Sequence, residues 1–394
     1  MTRAQLLEGF GHPDIFVRSP ILKYFGDSQD QGTDVTRAAI ATVERHGWND
    51  AFEWPHQIAA LAVDQEAGRW LVAELLREGA TAAGLNTKGH LMRWFGTAPL
   101  DVVEGLLGEV TGSPLWGRDA EIFGLPQSGL KRMPAQERVE FRLALSTTSP
   151  GQCMDQLEDA LSRAAAAESF PDVMVERLGL IGDRHAEMQS RIREIVMSWL
   201  NGAGPDLYRA GLGIRLAGNL KLDAAIPRFL EMFSFEWDWW NESIQAAIVA
   251  MGTPEALAAA IAGYPKAEFG GKHFLASAMG DLRFPHMQAD LLELLRAEED
   301  EMLRTSLGFA LARYGTPTAM AAARGVIDDW PEDADRFSIA EILYAFRTLL
   351  GEDDAAMQGW RAQFEQWRIQ ERFMLDGLRV VLEQPFEDVG RNDP

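Results

Sequence analysis

Met251-Gly-Thr-Pro-Glu-Ala-Leu-Ala-Ala-Ala260 returns 63 positions later, almost unchanged, as Tyr314-Gly-Thr-Pro-Thr-Ala-Met-Ala-Ala-Ala323. In both stretches the glycine suits the left-handed residue that closes a helix. The threonine can cap the next helix, and the proline fits its first position. A related junction, Met279-Gly280-Asp281, lies between the two copies. A helical junction that returns about every 30 residues predicts stacked helix pairs, because one amphipathic pair cannot bury its apolar face alone.

Helical patterns dominate the rest of the chain, since apolar residues recur at three- and four-residue spacing and hardly ever alternate with polar ones. In one unit, Gly218-Asn219 is expected to end a helix, Asp223 to cap the next, and Pro227 to lie in that helix's first turn. The pattern predicts four such units, at 207–233, 242–263, 272–297 and 302–327. The predicted fold class is therefore all-α, an α-α superhelix or solenoid of antiparallel helix pairs.

We expect one continuous solenoid over residues 1–394, because a stack of repeats extends its core in one dimension. Such a stack is a curved rod in which each pair shares its apolar face with its neighbours. Residues 57–77 and 87–110 are predicted to be helical. The predicted subdivisions are helix pairs at 1–110, an irregular insertion rich in Gly and Pro at 111–134, long helices at 135–200, repeats at 201–383 and a frayed tail at 384–394.

The composition limits the possible partners. The chain has 37 basic and 59 acidic side chains, a formal charge of −22 that is spread over both halves. Nucleic-acid binding depends on cations that neutralise phosphates, so this excess of carboxylates argues against it and against anionic membranes. A basic or neutral partner fits better, although solubility explains the charge equally well. The single cysteine and the lack of an apolar signal core or a run of about 20 apolar residues predict a cytoplasmic protein.

Three stretches resemble HEAT repeats, in particular the short bacterial subtype first described in phycobilisome lyases. They are Val17-Arg18…Tyr24-Phe25-Gly26-Asp27, Leu216-Ala217-Gly218…Asp223-Ala-Ala-Ile-Pro-Arg-Phe-Leu230 and Ala246-Ala247…Met251-Gly252-Thr-Pro-Glu-Ala-Leu257. The resemblance implies an α-α superhelix. It leaves the function open, because such repeats serve as scaffolds, lyases, hydroxylases and glycosylases. The hydroxylases take their iron ligands from repeated His-Glu pairs, and this chain has none.

An aromatic and acidic cluster is the first candidate binding surface. It lies in Phe233-Ser-Phe-Glu-Trp-Asp-Trp-Trp-Asn-Glu242, and its candidate residues are Glu236, Trp237, Asp238, Trp239 and Trp240. Exposed indoles beside carboxylates favour cationic or peptide ligands through the ring face and charge pairing. The alternative interpretation is that the indoles fill the gap between repeats, since buried aromatic residues dominate core energetics.

A second aromatic stretch, His46 to His56, supplies Trp48, Trp54 and His56 as candidates for a pocket. Its histidines lack the three- or four-residue spacing of metal ligands on a helix, so we expect no metal site and no cofactor. Cys153 follows Ser149-Pro150 and can lie in the first turn of a helix, where the helix dipole favours a thiolate. A lone cysteine is more often a small apolar filler.

The predicted function is a non-catalytic scaffold that binds a protein or peptide. The alternative is an enzyme or lyase that holds a small molecule or chromophore in a concave pocket. Nucleic-acid processing, as in the HEAT-like glycosylases, is the least favoured.

Overall fold

The structure, a computed structural model, describes residues 1–28, 32–77, 84–113, 116, 135–164, 185–201, 207–233, 238–329 and 334–383. These residues contain twenty α-helices, five short 3-10 helices and no β-strand. The predicted all-α class is therefore confirmed. The tail at 384–394 and most of the segment 111–134 lie outside the described residues. Within the described ranges, no helix is both long and apolar enough to cross a membrane.

Seven α-helices form the N-terminal part. They are α1 (Arg3–Glu8), α2 (Ile15–Asp27), α3 (Thr33–His46), α4 (Trp48–Ala51), α5 (Gln65–Leu76), α6 (Gly84–Thr97) and α7 (Leu100–Val110). The stretch 57–77, predicted to be helical, contains the end of a 3-10 helix (Pro55–Ala60) and then α5. Asp64 separates the two, since its carboxylate accepts the Ala67 amide proton at 2.9 Å and caps α5.

The described residues between 135 and 201 contain three helices: α8 (Ala135–Ser146), α9 (Pro150–Ala164) and α10 (Ala186–Asn201). Each of the four predicted units then contains two helices. They are α11 (Leu207–Asn219), α12 (Ile226–Met232), α13 (Asp238–Met251), α14 (Pro254–Gly263), α15 (Phe269–Leu282), α16 (Gln288–Ala297), α17 (Glu301–Ala312) and α18 (Pro317–Asp329). The chain continues through α19 (Ala334–Leu349) and α20 (Ala355–Glu383).

The two Gly-Thr-Pro junctions have the predicted geometry. Gly252 and Gly315 have φ angles of +64° and +63°, the left-handed region that a side chain disfavours. The hydroxyl of Thr253 accepts the Ala256 amide proton at 3.1 Å and caps α14. Thr316 accepts from the amide of Ala319 at 3.2 Å in the same way. The local chemistry of these residues therefore determines where one helix ends and the next begins.

The junction after α11 differs from the prediction. The helix ends at Asn219 as expected, but the left-handed residue is Lys221, at φ +52°, and not a glycine. Asp223 does not cap α12. It begins a 3-10 turn, and its carboxylate accepts a hydrogen bond from the Thr253 hydroxyl at 3.3 Å. The predicted cap is therefore wrong, because the carboxylate is used to join two neighbouring units.

Gly218 has a packing role. A Cβ atom added to it would lie 2.6 Å from the Cα of Ala247 on α13. Gly280 on α15 repeats the arrangement, since its added Cβ would lie 2.9 Å from the Cα of Ala310 on α17. Glycine facing alanine lets the backbones of successive helices approach closely, and the close approach leaves no room for a methyl group.

The helices pack in two layers. In the first layer α10, α11, α13, α15, α17 and α19 are in successive contact, and in the second layer α12, α14, α16 and α18 are. The N-terminal part is built alike, since α2, the 3-10 helix 55–60, α6 and α8 follow one another, and α3, α5 and α7 lie beside them. The buried apolar residues of all these elements form one continuous core.

The first and last parts of the chain are in contact. Helix α2 packs along α19, and α1 also contacts α19, so residues more than 300 positions apart share the core. The repeat pattern predicts a curved rod and does not predict this contact between its first and last parts. Helix α2 covers an apolar face of α19, the last helix of the first layer. The N-terminal helices therefore extend that layer.

We predict that Gly218→Ala lowers the free energy of unfolding by about 1–3 kcal/mol, because its methyl group would overlap Ala247 and force the helices apart. The matched control is Gly108→Ala on the exposed side of α7, where an added Cβ meets nothing within 4 Å. There alanine should stabilise by up to about 1 kcal/mol through its higher helix propensity. Urea unfolding of both variants measures the difference. Equal stability of the two would contradict the packing role of Gly218.

Candidate functional site

The first predicted binding surface is described only in part. Glu236 and Trp237 lie outside the described residues, and Asp238 and Trp239 begin α13 with side chains that also lie outside them. Trp240 is buried, and its indole nitrogen donates to the carbonyl of Met232 at 2.9 Å. Its ring therefore packs between α12 and α13, as the alternative interpretation of the cluster holds.

The candidates of the second aromatic stretch have different surroundings: Trp48 lies in the core, and Trp54 lines a cavity. Trp48 is buried, donates to the Glu74 carboxylate at 3.0 Å and packs on Trp70. Trp54 is half-buried, packs on Trp367 of α20 with ring centroids 5.7 Å apart, and lines a small cavity. The side chain of His56 lies outside the described residues. Of the predicted candidates whose side chains are described, only Trp54 therefore lines a cavity.

A cavity lies where the N-terminal helices meet the C-terminal units. It has a volume of about 300 Å³, and its walls come from α1, α2 and the C-terminal ends of α13 and α15. We call it the seam cavity; its lining residues are Met1, Arg3, Leu6, Tyr24, Phe25, Ser28, Val249, Gly252, Asp281, Leu282 and Arg283. A site made from segments some 220 or more positions apart is formed only when the two parts of the chain dock.

One buried arginine holds the two parts together. Arg313, whose side chain is only 3% exposed, pairs with Asp281 on α15 and, at 2.9 Å, with Asp27 at the end of α2. Burial raises the pKa of the Asp281 carboxyl even though Arg313 lies beside it. Gln245 on α13 also donates to Asp281, at 3.5 Å. The network therefore links α2, α13, α15 and α17 at one end of the first layer.

A second arginine lies directly on the wall of the seam cavity. Arg283 has a left-handed backbone, at φ +48°, and its guanidinium carbon lies 3.6 Å from the centre of the Tyr24 ring. Both terminal nitrogens donate to the carbonyl oxygen of Tyr24 at 3.1 Å. Burial lowers the pKa of Arg283 to about 10. The stacked ring and the carbonyl orient this cation toward the cavity.

A smaller cavity of about 40 Å³ also has Tyr24 in its lining. Its lining includes Lys23, Trp54, Arg313 and Glu341. Burial raises the pKa of the Glu341 carboxyl to about 7, and Glu53 adds to this effect while Lys23 opposes it. A carboxyl group that exchanges its proton near neutral pH inside a cleft is a candidate for function.

Polar side chains also join successive helices of the first layer. Gln245 on α13 donates to Ser277 on α15 at 2.7 Å, and His273 on α15 bonds Ser306 on α17 at 2.9 Å. The Ser306 hydroxyl also lies 3.1 Å from the Met302 carbonyl, and within the described ranges no carboxylate bonds His273. The His273–Ser306 pair therefore lacks the acid that orients histidine in a catalytic triad.

Two further candidates for chemistry are the cysteine and a metal site. Cys153 lies in the first turn of α9, where it is buried, and burial raises the pKa of its thiol, which fits the filler interpretation. No group of three or more His, Cys, Asp or Glu side chains that could hold a metal ion occurs in the described part. The arrangement at the seam is suited to binding a charged or polar group, since it offers cations, aromatic faces and one carboxylate.

The sequence analysis missed the residues that build the seam. Tyr24, Asp27, Asp281, Arg283 and Arg313 all come from helix ends. A signal was present, because Phe25-Gly26-Asp27 and Met279-Gly280-Asp281 both place an aspartate just after a glycine at a helix end. Only the fold shows that the two carboxylates share one arginine.

Comparisons with models of protein families, with curated proteins and with solved structures gave no significant match to this chain. The site is therefore interpreted from its own geometry.

We predict that Arg313→Met lowers the free energy of unfolding by about 3–5 kcal/mol, because the largely buried Asp281 and the partly exposed Asp27 would lose their shared cation. The triple variant that adds Asp27→Asn and Asp281→Asn should recover most of the loss. The matched control is Arg37→Met, since Arg37 also contacts two carboxylates but is 53% exposed. That change should cost far less than Arg313→Met, because solvent screens the exposed pair. Urea unfolding checks all three, and similar losses for Arg37→Met and Arg313→Met would contradict the role of burial.

We predict that Glu341 makes the protein less stable as pH rises. The folded protein keeps a proton up to about pH 7 that the unfolded chain releases near pH 4.5, so unfolding becomes easier through that window. Glu341→Gln should match the wild type below pH 4.5 and exceed its stability at pH 8 by about 1–3 kcal/mol. Unfolding free energies measured from pH 4 to 8 test this. Glu293→Gln, on the exposed side of α16, should keep the wild-type profile; the same profile for Glu341→Gln would rule out the effect.

Proposed function

We propose that the chain is a HEAT-like α-solenoid that serves as a binding scaffold for a protein or peptide segment. The two layers of helix pairs and the left-handed Gly252 and Gly315 support the HEAT-like arrangement. In this proposal α2 and α19 join the two ends of the repeat series. A stacked array of this kind offers a binding surface that grows with the number of repeats.

The observation that carries the proposal is the seam cavity. Its walls come from α1 and α2 on one side and from α13 and α15 on the other, and they combine Arg3 and Arg283 with the rings of Tyr24 and Phe25. Arginine and aromatic side chains are enriched among residues that anchor binding partners. The cavity can receive one side chain of a bound segment, while the polar groups Gln245 and Ser277 lie nearby on the first layer.

The chain has an excess of carboxylates, which favours a bound segment whose residues outside the cavity are basic or neutral. A pocket for a free small molecule is the second candidate, because about 300 Å³ is the lower end of the usual volume of small-molecule sites. The experiment below separates these two candidates.

We predict that Ser28→Trp weakens peptide binding by filling the seam cavity, which Ser28 lines from the end of α2. The matched control is Thr111→Trp, since Thr111 also follows a helix and donates to a carbonyl three residues back, as Ser28 does. A phage-displayed random peptide library is selected on the wild-type protein. The enriched peptides should bind Thr111→Trp normally and Ser28→Trp at least about tenfold more weakly, because the anchoring side chain is excluded.

Thermal unfolding followed by circular dichroism checks that both tryptophan variants are folded. Peptides that bind Ser28→Trp as well as the wild type would contradict a role of the cavity. A library that yields no peptide, together with a small molecule that co-purifies with the wild type and not with Ser28→Trp, would support the second candidate instead.

A further inference from the structure

The repeat contains two equivalent helix ends, one with Lys221 and one with Arg283 in the left-handed position, so the helix end does not require the arginine side chain. Gly218-Asn-Leu-Lys221 and Gly280-Asp-Leu-Arg283 have the same form, and both cationic residues are left-handed. Lys221 is exposed to solvent, whereas Arg283 is half-buried against Tyr24. The same backbone position thus carries a solvated cation in one unit and a cation on the wall of a cavity in the other.

In the part of the chain that the structure describes, Arg283 is a cation with no carboxylate in contact. Its hydrogen bonds go to a carbonyl oxygen, and among the described residues no carboxylate lies within ion-pair distance of its guanidinium. Transfer of an unpaired charge out of water is unfavourable. The stacking on Tyr24 offsets part of this cost, since a ring face attracts a guanidinium. An anion in the cavity would offset much more.

The other charged side chains of the lining, Asp281 and Arg3, already have partners of opposite charge, so the cavity can accept one anionic group beside Arg283. Asp281, the single carboxylate of the lining, is already bound by Arg313 and Gln245. Arg3 on the opposite wall pairs with Asp34 at 2.7 Å, but both side chains of that pair are about half exposed, so the pair is weakly held. Arg3 is thus already compensated by a carboxylate, and Arg283 is the guanidinium of the lining that has no carboxylate in ion-pair contact among the described residues.

We propose that the seam cavity binds a carboxylate group, with Arg283 as its main partner and the rings of Tyr24 and Phe25 beside its apolar part. The Tyr24 carbonyl takes the edge formed by the two terminal nitrogens of Arg283. The edge formed by Nε and one terminal nitrogen can still hold a carboxylate through two parallel hydrogen bonds. A singly charged group fits better than a phosphate dianion, because Asp281 lines the same cavity and would repel a second charge. This inference rests on the proposed function, since the carboxylate belongs to the bound segment or to a free small acid.

Calorimetric titration with benzoate tests the proposal without knowledge of the natural ligand. Benzamide, which has the same shape and no charge, is the ligand control, and phenyl phosphate tests the second charge. We expect benzoate to bind the wild type, and benzamide and phenyl phosphate to bind more weakly. Arg283→Gln should weaken benzoate binding by about tenfold or more, because its charge-assisted hydrogen bonds are lost.

The matched protein control is Lys221→Gln, which changes the same charge at the same repeat position and leaves the cavity intact. It should bind benzoate as the wild type does. Ser28→Trp keeps Arg283 and fills the cavity, so it should abolish benzoate binding and provides a second test if Arg283→Gln does not fold. The proposal would be overturned if benzoate did not bind the wild type, or if benzamide bound equally well. It would also be overturned if Arg283→Gln and Ser28→Trp bound benzoate as the wild type does.

The same experiments separate this inference from the proposed function. Selected peptides that depend on the cavity, together with a wild type that ignores benzoate, would leave the scaffold standing and remove the carboxylate site. Benzoate binding without any selected peptide would support the carboxylate site and remove the peptide scaffold. If selected peptides bind, each Asp and Glu of the peptide is replaced by its amide, and the C-terminus is then amidated. The change that weakens binding identifies the carboxylate that enters the seam cavity.

Discussion

The arginine at the seam is the interaction on which the arrangement of this chain depends. Arg313 is almost fully buried and holds one carboxylate from α2 and another from α15, although Asp27 and Asp281 are 254 positions apart. Buried ion pairs add little net stability, because desolvation offsets most of the attraction. The apolar contact of α2 with α19 therefore supplies the energy of docking, and Arg313 requires that the docking occur in one register.

Close helix packing places the groups that Arg313 joins. Gly218 faces Ala247 and Gly280 faces Ala310, so successive first-layer helices approach closely and their C-terminal ends come together at the seam. The chain then leaves α15 through a left-handed Arg283, which directs this side chain back toward Tyr24. The position of the cation in the cavity is thus a consequence of how the repeat ends its helix.

The sequence predicts those features that depend on a few neighbouring residues. The Gly-Thr-Pro junctions are correct because a glycine at positive φ, a threonine cap and a proline act locally. Asp223 was wrong as a cap because its carboxylate bonds Thr253 of the next unit, which a local pattern cannot show. The contact of α2 with α19, and the pairing of Asp27 with Arg313, depend on matching surfaces far apart in the chain. Of the candidate residues chosen for their aromatic character and described in full, Trp48 and Trp240 are core residues, and only Trp54 reaches a cavity.

A site at a seam has a thermodynamic consequence that a site within one unit lacks. An occupant of the seam cavity contacts α1 and α2 on one side and α13 and α15 on the other, so it binds only the docked arrangement. A ligand that binds one state stabilises that state according to its concentration and affinity. The charge of Arg283, which contacts no carboxylate among the described residues, works in the opposite direction, because it is unfavourable only when docking removes it from water. Binding of an anion would therefore relieve the cost that docking imposes, and the same residue would couple recognition of the ligand to closure of the chain's two ends.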